Sequence, residues 1–166
     1  GEGRKNMGGL IGKSQNDTIS YSNSTINISG AKNSGGLVGI LDRGFVNHSN
    51  SKGSISSYDG NLGGLVGKSN VGEIYYSDAS VEMEALRAGD DNIGYQYGGE
   101  TYRSSSNSTI DGHYNWNERV GGLIGFVKGG NVFQSYSTGN LPSSEYSEMA
   151  QLGGLVGRQE GGIIRN

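Results

Sequence analysis

The sequence predicts an all-β fold, a right-handed parallel β-solenoid (β-helix) of about six coils. A Gly-Gly-Leu-Val-Gly segment returns along the chain with a repeat of 27–32 residues. The residues at fixed distances after it are β-branched, small or apolar in turn, and no stretch has a convincing helical period. A period in this range is typical of stacked repeat architectures, and the right-handed sense follows from the chirality of parallel crossovers.

Five copies of the segment are plain and one is worn. The worn copy is Asp90-Asp91-Asn92-Ile93-Gly94, and the residues after it align with the other repeats without a gap. The repeats therefore start at residues 8, 35, 63, 90, 121 and 153, and we number each from its first residue as position 0. Because neither end looks like a polar cap, we expect residues 1–166 to be one solenoid segment of a longer chain.

The composition fits a repeat protein better than an ordinary globule. Only 32% of the residues are hydrophobic, while 32 are Gly and one is Pro. A stacked repeat needs few apolar side chains, since each unit buries its face against its neighbours. The net charge of −3 without a basic cluster argues against nucleic acid, and no apolar run is long enough for membrane insertion. The absence of Cys excludes disulfides and thiolate metal sites.

Two columns mark a turn and a strand in every repeat. Position 9 is Asp17, Gly44, Gly72, Gly99, Gly130 and Gly162, which predicts a left-handed turn residue because Gly adopts positive φ freely. Position 11 is Ile19, Val46, Ile74, Thr101, Val132 and Ile164. These β-branched residues favour a pleated strand.

A second strand is predicted from position 14 to position 20. Position 14 is Ser22, Ser49, Ser77, Ser104 and Ser135. Position 16 is small and position 20 is apolar, and residues of one parity share a face of a strand. We expect this face to point inward, with the serines forming a buried ladder that bonds to backbone carbonyls or to the next serine.

Aromatic residues supply the candidate binding sites. Position 12 holds Tyr75, Tyr102 and Phe133 in successive repeats. If these rings point outward, they form an aromatic column on which sugar rings or a partner's side chains could stack. The alternative is that they cover an exposed sheet edge or lie under a neighbouring domain.

Two long insertions, residues 111–119 and 142–149, belong to neighbouring coils and are expected to lie side by side. They bring together four aromatic or imidazole side chains suited to glycan or protein recognition: His113, Tyr114, Trp116 and Tyr146. The alternative for Trp116 is that it folds back to plug the coil beside Val120.

The sequence offers no catalytic or metal site. His48 and His113 fall in different coils without further matched ligands, so no metal site is predicted. Asp90, Asp91 and Asp111 lack the nonapeptide pattern of calcium-binding solenoids, and their simpler interpretation is solvated turns. Charged residues scatter over different positions of the repeat, so we expect no enzyme activity and no cofactor.

The pattern Gly-Gly-Leu-Val-Gly, four residues, Gly and a β-branched residue, with Ser-Tyr-Ser-Thr-Gly-Asn-Leu at residues 135–141, resembles the GLUG-motif repeat of bacterial surface proteins. The fifth repeat matches best, and the fourth departs at Asp90-Asp91-Asn92. The resemblance covers nearly the whole chain. It implies a bacterial secreted or cell-surface location and a β-solenoid stalk, as in large adhesins and immunoglobulin-A-specific metallopeptidases. It transfers no catalytic residue, and the zinc-peptidase motif His-Glu-x-x-His is absent from this sequence.

Three functions follow as expectations. The first is a non-catalytic structural or display segment of a large surface or secreted protein, of the adhesin-stalk kind. The second is a binding module that grips host glycan or protein through the two insertions and the aromatic column. The third is an accessory domain of an immunoglobulin-cleaving surface metalloprotease. The expected partners are flanking domains of the same chain, and open solenoid ends could also associate end to end.

Overall fold

The computed structural model describes residues 6–29, 32–57, 61–85, 90–107, 109–112, 119–121, 123–140 and 151–165. These residues contain strands and no helix, and every strand pairing is parallel. Strands of successive repeats stack on one another, as in a β-solenoid. The all-β, parallel solenoid prediction is confirmed.

The first three repeats contain eleven strands: β1 (Asn6–Gly8), β2 (Ile11–Gln15), β3 (Thr18–Ser20), β4 (Asn23–Ser29), β5 (Asn33–Gly35), β6 (Val38–Asp42), β7 (Phe45–Asn47), β8 (Asn50–Ser57), β9 (Asn61–Asn70), β10 (Glu73–Tyr75) and β11 (Asp78–Ala85). The later repeats contain another eleven: β12 (Asp90–Tyr97), β13 (Glu100–Tyr102), β14 (Ser105–Ser106), β15 (Thr109–Gly112), β16 (Arg119–Gly121), β17 (Ile124–Lys128), β18 (Asn131–Phe133), β19 (Tyr136–Ser137), β20 (Gln151–Gly153), β21 (Val156–Glu160) and β22 (Ile164–Arg165).

The strands form three faces of the solenoid. The first face is an eight-stranded sheet that holds the Gly-Gly-Leu-Val-Gly segments, with β16 and β20 paired separately. The second face has the order β22-β18-β13-β10-β7-β3, one short strand from each of the six repeats. The third face has the order β19-β14-β11-β8-β4, with β15 also paired to β11.

The number of complete coils differs from the prediction. Five repeats have described strands on all three faces, but only in the first four does the third face reach position 20, so the stack has about four complete turns where about six coils were predicted. In the fifth repeat the described third face ends at β19, and in the sixth only the first two faces are described. The first and second faces each form a ladder with strands from all six repeats.

The register on the second face follows the repeat numbering. Ile19 pairs with Val46, Val46 with Ile74, and Ile74 with Thr101. Thr101 pairs in turn with Val132. These position-11 side chains are all buried, so a β-branched column runs up the core as the sequence predicts.

The rest of the core comes from the other two faces. The first face buries Leu37, Val38, Leu65, Val66, Leu123 and Ile124, and the third face buries Ile28, Ile55 and Met83. Each coil encloses only a few apolar side chains, and neighbouring coils complete their burial. A chain of low hydrophobic content can therefore fold, because each repeat stacks on the next.

The fourth repeat has a polar pair in this core. Gln96 and Thr101 are both fully buried, and the Thr101 hydroxyl donates to Gln96 Oε1 at 2.9 Å. The Gln96 amide donates to the carbonyl of Gly99 at 3.3 Å. Because the polar groups satisfy one another, Thr is accommodated in a column that is otherwise Ile or Val.

The fourth repeat also departs from the gap-free alignment at its start, where it has one residue fewer than the third repeat between paired positions. Asp90 lies opposite Leu62 and Asp91 opposite Gly63, but Ile93 lies opposite Val66. The predicted equivalence holds from Ile93 onward, and the first two residues are displaced by one. The worn segment therefore turns its corner with one residue fewer.

The left-handed residue of the first turn lies at position 8, one residue before the predicted position 9. Position 8 has positive φ in all six repeats: Asn16, Arg43, Val71, Gly98, Gly129 and Gly161. At position 9, only Gly99 and Gly162 have positive φ. The glycines at position 9 have another cause, since a Cβ on Gly44 would collide with the backbone oxygen of Asp17 in the preceding coil. The prediction identified the turn and misassigned its conformation.

Candidate functional site

A second left-handed position lies at the corner between the second and third faces. It is position 13, directly after the strands β3, β7, β10, β13 and β18. Its residues have φ of 51° at Tyr21, 46° at His48, 48° at Tyr76, 46° at Arg103 and 46° at Gln134. None of the five is Gly, although positive φ is uncommon for other residues.

The five side chains at this corner all end in planar groups, and we call them the planar ladder. The Tyr21 and His48 rings are stacked with centroids 5.1 Å apart, and the His48 and Tyr76 rings with centroids 4.8 Å apart. The Arg103 guanidinium lies 5.9 Å from the Tyr76 ring centroid. Arg103 Nε donates to Gln134 Oε1 at 2.7 Å. Planar groups therefore contact one another from the first repeat to the fifth.

Stacking offers a physical reason why this corner avoids glycine. At position 8, where side chains form no such ladder, three of the six left-handed residues are Gly. A left-handed conformation costs a non-Gly residue about 1–2 kcal/mol. An aromatic pair returns about 0.5–1.5 kcal/mol beyond its buried area, so stacking offsets the backbone strain.

The ladder's geometry limits what can bind to it. The stacked rings are nearly parallel, with interplanar angles of 15° and 17°, so His48 uses both of its faces against neighbouring rings. Tyr21, His48 and Tyr76 are all exposed, so their ring edges and polar atoms remain accessible to solvent. A sugar ring that needs an aromatic face would find the His48 faces already covered.

The predicted aromatic column at position 12 lies next to this ladder. Tyr75 and Tyr102 meet edge to face with centroids 6.1 Å apart, and Tyr102 also meets Tyr76 edge to face at 5.7 Å. Phe133 pairs in register with Tyr102, but no ring contact joins the two among the described residues. The structure therefore joins Tyr75 and Tyr102 to the planar ladder, and all three position-12 rings are half-buried.

The Tyr75 hydroxyl is bound to two carboxylates. It donates to Glu73 Oε2 at 2.6 Å and lies 3.4 Å from Glu100 Oε2. Burial, together with the hydrogen bond to Glu73 and the negative charges of Glu73 and Glu100, raises the pKa of Tyr75 well above its usual range. The hydroxyl therefore acts as a persistent donor to the acidic pair.

The position-14 serines form a continuous hydrogen-bonded ladder inside the same corner. Each hydroxyl donates to the carbonyl two residues earlier: Ser22 to Ser20, Ser49 to Asn47, Ser77 to Tyr75, Ser104 to Tyr102 and Ser135 to Phe133. Each backbone N–H donates to the serine hydroxyl of the next coil: Ser22 to Ser49, Ser49 to Ser77, Ser77 to Ser104 and Ser104 to Ser135. The serines thereby fix the corner that presents the planar ladder.

The second proposed binding region lies outside the described residues. His113, Tyr114, Trp116 and Tyr146, and the whole insertion 142–149, belong to that part of the chain. The grouping of the two insertions therefore stays a prediction.

The described part of the chain brings together no group of three His, Asp or Glu side chains able to hold a metal ion. Across the same residues, no helix has the length and apolar character needed to cross a membrane.

The sequence contains a signal for the planar ladder one residue after the predicted aromatic column, at position 13. The residue before each Ser of the serine column is Tyr21, His48, Tyr76, Arg103 or Gln134. Every one is large and planar at its end, in a chain where small residues dominate. Their left-handed conformation had no sequence signal, because none of them is Gly.

No protein-family model, no curated protein and no solved structure matches the chain. The resemblance to the GLUG-motif repeat therefore stays an expectation.

Proposed function

We propose that the chain is a non-catalytic structural segment that spaces and displays other parts of a larger bacterial surface or secreted protein. The observation that supports this proposal is the unbroken second-face ladder, in which all six repeats pair in parallel register. Five steps of about 4.8 Å give this ladder a length of about 24 Å.

Side-chain ladders along the same axis add stiffness to the backbone ladders. The Asn33 amide donates to Asn6 Oδ1 at 2.8 Å, and the Asn61 amide donates to Asn33 Oδ1 at 2.8 Å. The serine and planar ladders run parallel to this asparagine ladder in other columns. Each coil is therefore tied to its neighbours at several corners, which resists bending and local opening.

The repeat architecture suits a spacer because its length can change without changing its cross-section. In a solenoid each repeat contacts only its neighbours, so stability is close to a sum of repeat and interface terms. Loops between strands can accept insertions while the coil keeps its register. A display function needs both properties.

The first experiment changes the number of coils. Three further copies of residues 35–62 are inserted after residue 62, and the maximum dimension is measured by small-angle X-ray scattering. We expect the dimension to grow by about 14 Å with an unchanged cross-section. A control carries three scrambled copies of the same composition and should lose the β-sheet circular dichroism of the added residues. If the chain with three added copies shows no increase in maximum dimension, the spacer proposal is contradicted.

A second experiment tests the location. The chain has no Cys, and Ser80 is exposed on the third face. The variant Ser80→Cys in the full parent protein should react with a membrane-impermeant maleimide on intact cells, or in the medium if the protein is released. The buried position Ser77→Cys is the matched unreactive control. Labelling only after cell lysis would refute a surface or secreted location.

A further inference from the structure

The second face presents two carboxylates in the same register position. Glu73 and Glu100 both occupy position 10, at the start of β10 and β13, whose following residues pair Ile74 with Thr101. Adjacent strands lie about 4.8 Å apart, and like charges placed opposite each other in a sheet are destabilising. Both side chains are half-buried, so water screens their repulsion less than at a fully exposed site.

No cation of the described chain neutralises this pair. Neither Glu73 nor Glu100 forms an ion pair with a Lys or Arg in the described part of the chain, where Arg43 pairs with Asp42 and Arg158 with Glu160. Arg103, three residues after Glu100 in the chain, donates its Nε–H to Gln134. The Tyr75 hydroxyl is the donor that the two carboxylates share, and it supplies one proton to an array of four carboxylate oxygens.

Aromatic rings border the carboxylates. Phe45 pairs in register with Glu73 and is 45% exposed, while Tyr75 and Tyr102 lie two residues further along the same strands. The face already seats one guanidinium, because Arg103 lies 5.2 Å from the Tyr102 ring centroid. We call Phe45, Glu73, Tyr75, Glu100 and Tyr102 the acidic–aromatic face.

We propose that the acidic–aromatic face is a docking surface for an arginine-bearing extended segment of a partner protein. The guanidinium would sit against Glu73 and Glu100 and the arginine stem against the flanking rings. This inference goes beyond the spacer function, because the solenoid would also recruit a partner.

The chemistry selects arginine among the cations. A guanidinium is planar, offers five donors and pairs with carboxylates in a bidentate manner, and it stacks on aromatic rings better than an ammonium does. A divalent metal fits less well, because two carboxylates and a phenol that keeps its proton supply fewer oxygen ligands than calcium takes.

The test is a titration of the ¹⁵N-labelled chain with the peptide acetyl-Gly-Arg-Gly-Arg-Gly-amide, followed by NMR. We expect saturable shifts centred on the amides of Glu73, Tyr75, Glu100 and Tyr102. The double variant Glu73→Gln with Glu100→Gln keeps the side-chain shape and should weaken binding at least tenfold. The matched control, Glu82→Gln with Glu84→Gln on the third face, should leave the affinity unchanged.

Two further measurements separate recognition from general charge attraction. The peptide with Lys in place of Arg should bind at least threefold more weakly, and Tyr102→Leu should weaken the Arg peptide while leaving the β-sheet circular dichroism unchanged. Absence of shifts in the wild-type chain would overturn the proposal. So would equal binding of the Arg and Lys peptides, or shifts centred on Glu82 and Glu84.

Discussion

The serine ladder allows the energy of one hydroxyl to be predicted from its bonds. Ser77 is fully buried, and its Oγ accepts the Ser49 N–H at 3.1 Å and donates to the Tyr75 carbonyl at 2.7 Å. In Ser77→Ala the Tyr75 carbonyl keeps the His48 N–H as a donor at 3.1 Å. The Ser49 N–H, however, stays buried without an acceptor, and an unsatisfied buried donor costs about 1–3 kcal/mol.

Urea unfolding followed by circular dichroism measures this cost. With a denaturant slope of about 2 kcal/mol per M, a loss of about 2 kcal/mol lowers the midpoint by about 1 M. Hydrogen exchange at the Ser49 amide should accelerate in the same variant, because its acceptor is gone.

Two matched variants separate the ladder from a generic serine effect. Ser80→Ala changes an exposed serine on the third face and should stay within about 0.5 kcal/mol of the wild type. Ser22→Ala removes the same column's hydroxyl in the first repeat, where Ser22 Oγ donates to Ser20 and accepts no described N–H. It should cost less than Ser77→Ala. Equal effects of all three substitutions would refute the reasoning.

Three further predictions concern single residues of the turns and of the second face. Gly44→Ala places a Cβ against the Asp17 backbone oxygen and should destabilise by about 1–3 kcal/mol. Gly154→Ala, with nothing within 4 Å of its added Cβ, should be close to neutral in the same urea experiment. Tyr76→Gly should be less destabilising than Tyr76→Ala by about 1 kcal/mol, because Gly relieves the positive φ while both lose the stacking; equal losses would show that the backbone is unstrained. Because folding raises the pKa of Tyr75, the protonated hydroxyl contributes its full stabilisation below about pH 10, the pKa of tyrosine in an unfolded chain. That stability should fall as the pH rises further. Tyr75→Phe should flatten this alkaline loss, and an unchanged pH profile would contradict the assignment.

Much of the fold was predictable because repetition makes each structural role visible several times. The β-branched column, the inward side of the third-face strands and the parallel stacking all follow from residues that recur at one position. A single Ile or Ser in one repeat would have been ambiguous, whereas five or six at one position are not.

The prediction of the turn conformation was wrong because Gly serves two purposes: it adopts positive φ, and it allows close approach of neighbouring backbones. Gly at position 9 suggested positive φ, but Gly44 is required by the close approach of the Asp17 backbone. The left-handed position 8 holds Val71 and Arg43 in two repeats, residue types that give no signal for that conformation. Which of the two uses applies depends on the distance between neighbouring coils, and a sequence does not contain that distance.

In the candidate site, too, the sequence predicts which residues share a column, and the structure shows which side chains touch. The sequence placed Tyr75 and Tyr102 in one column, and the structure brought them into contact and added Tyr76 and His48 from the next position. The two columns meet where Tyr102 of the fourth repeat contacts Tyr76 of the third edge to face.

The sequence by itself determined the repeat, the all-β class and the residues that stack in columns, because these depend on local pattern and on identity at a fixed period. The tertiary structure alone decided which residues adopt positive φ, how the rings orient, and that Glu73 and Glu100 meet the Tyr75 hydroxyl. These features depend on how one coil sits on the next, a spacing set by the packing of the whole stack.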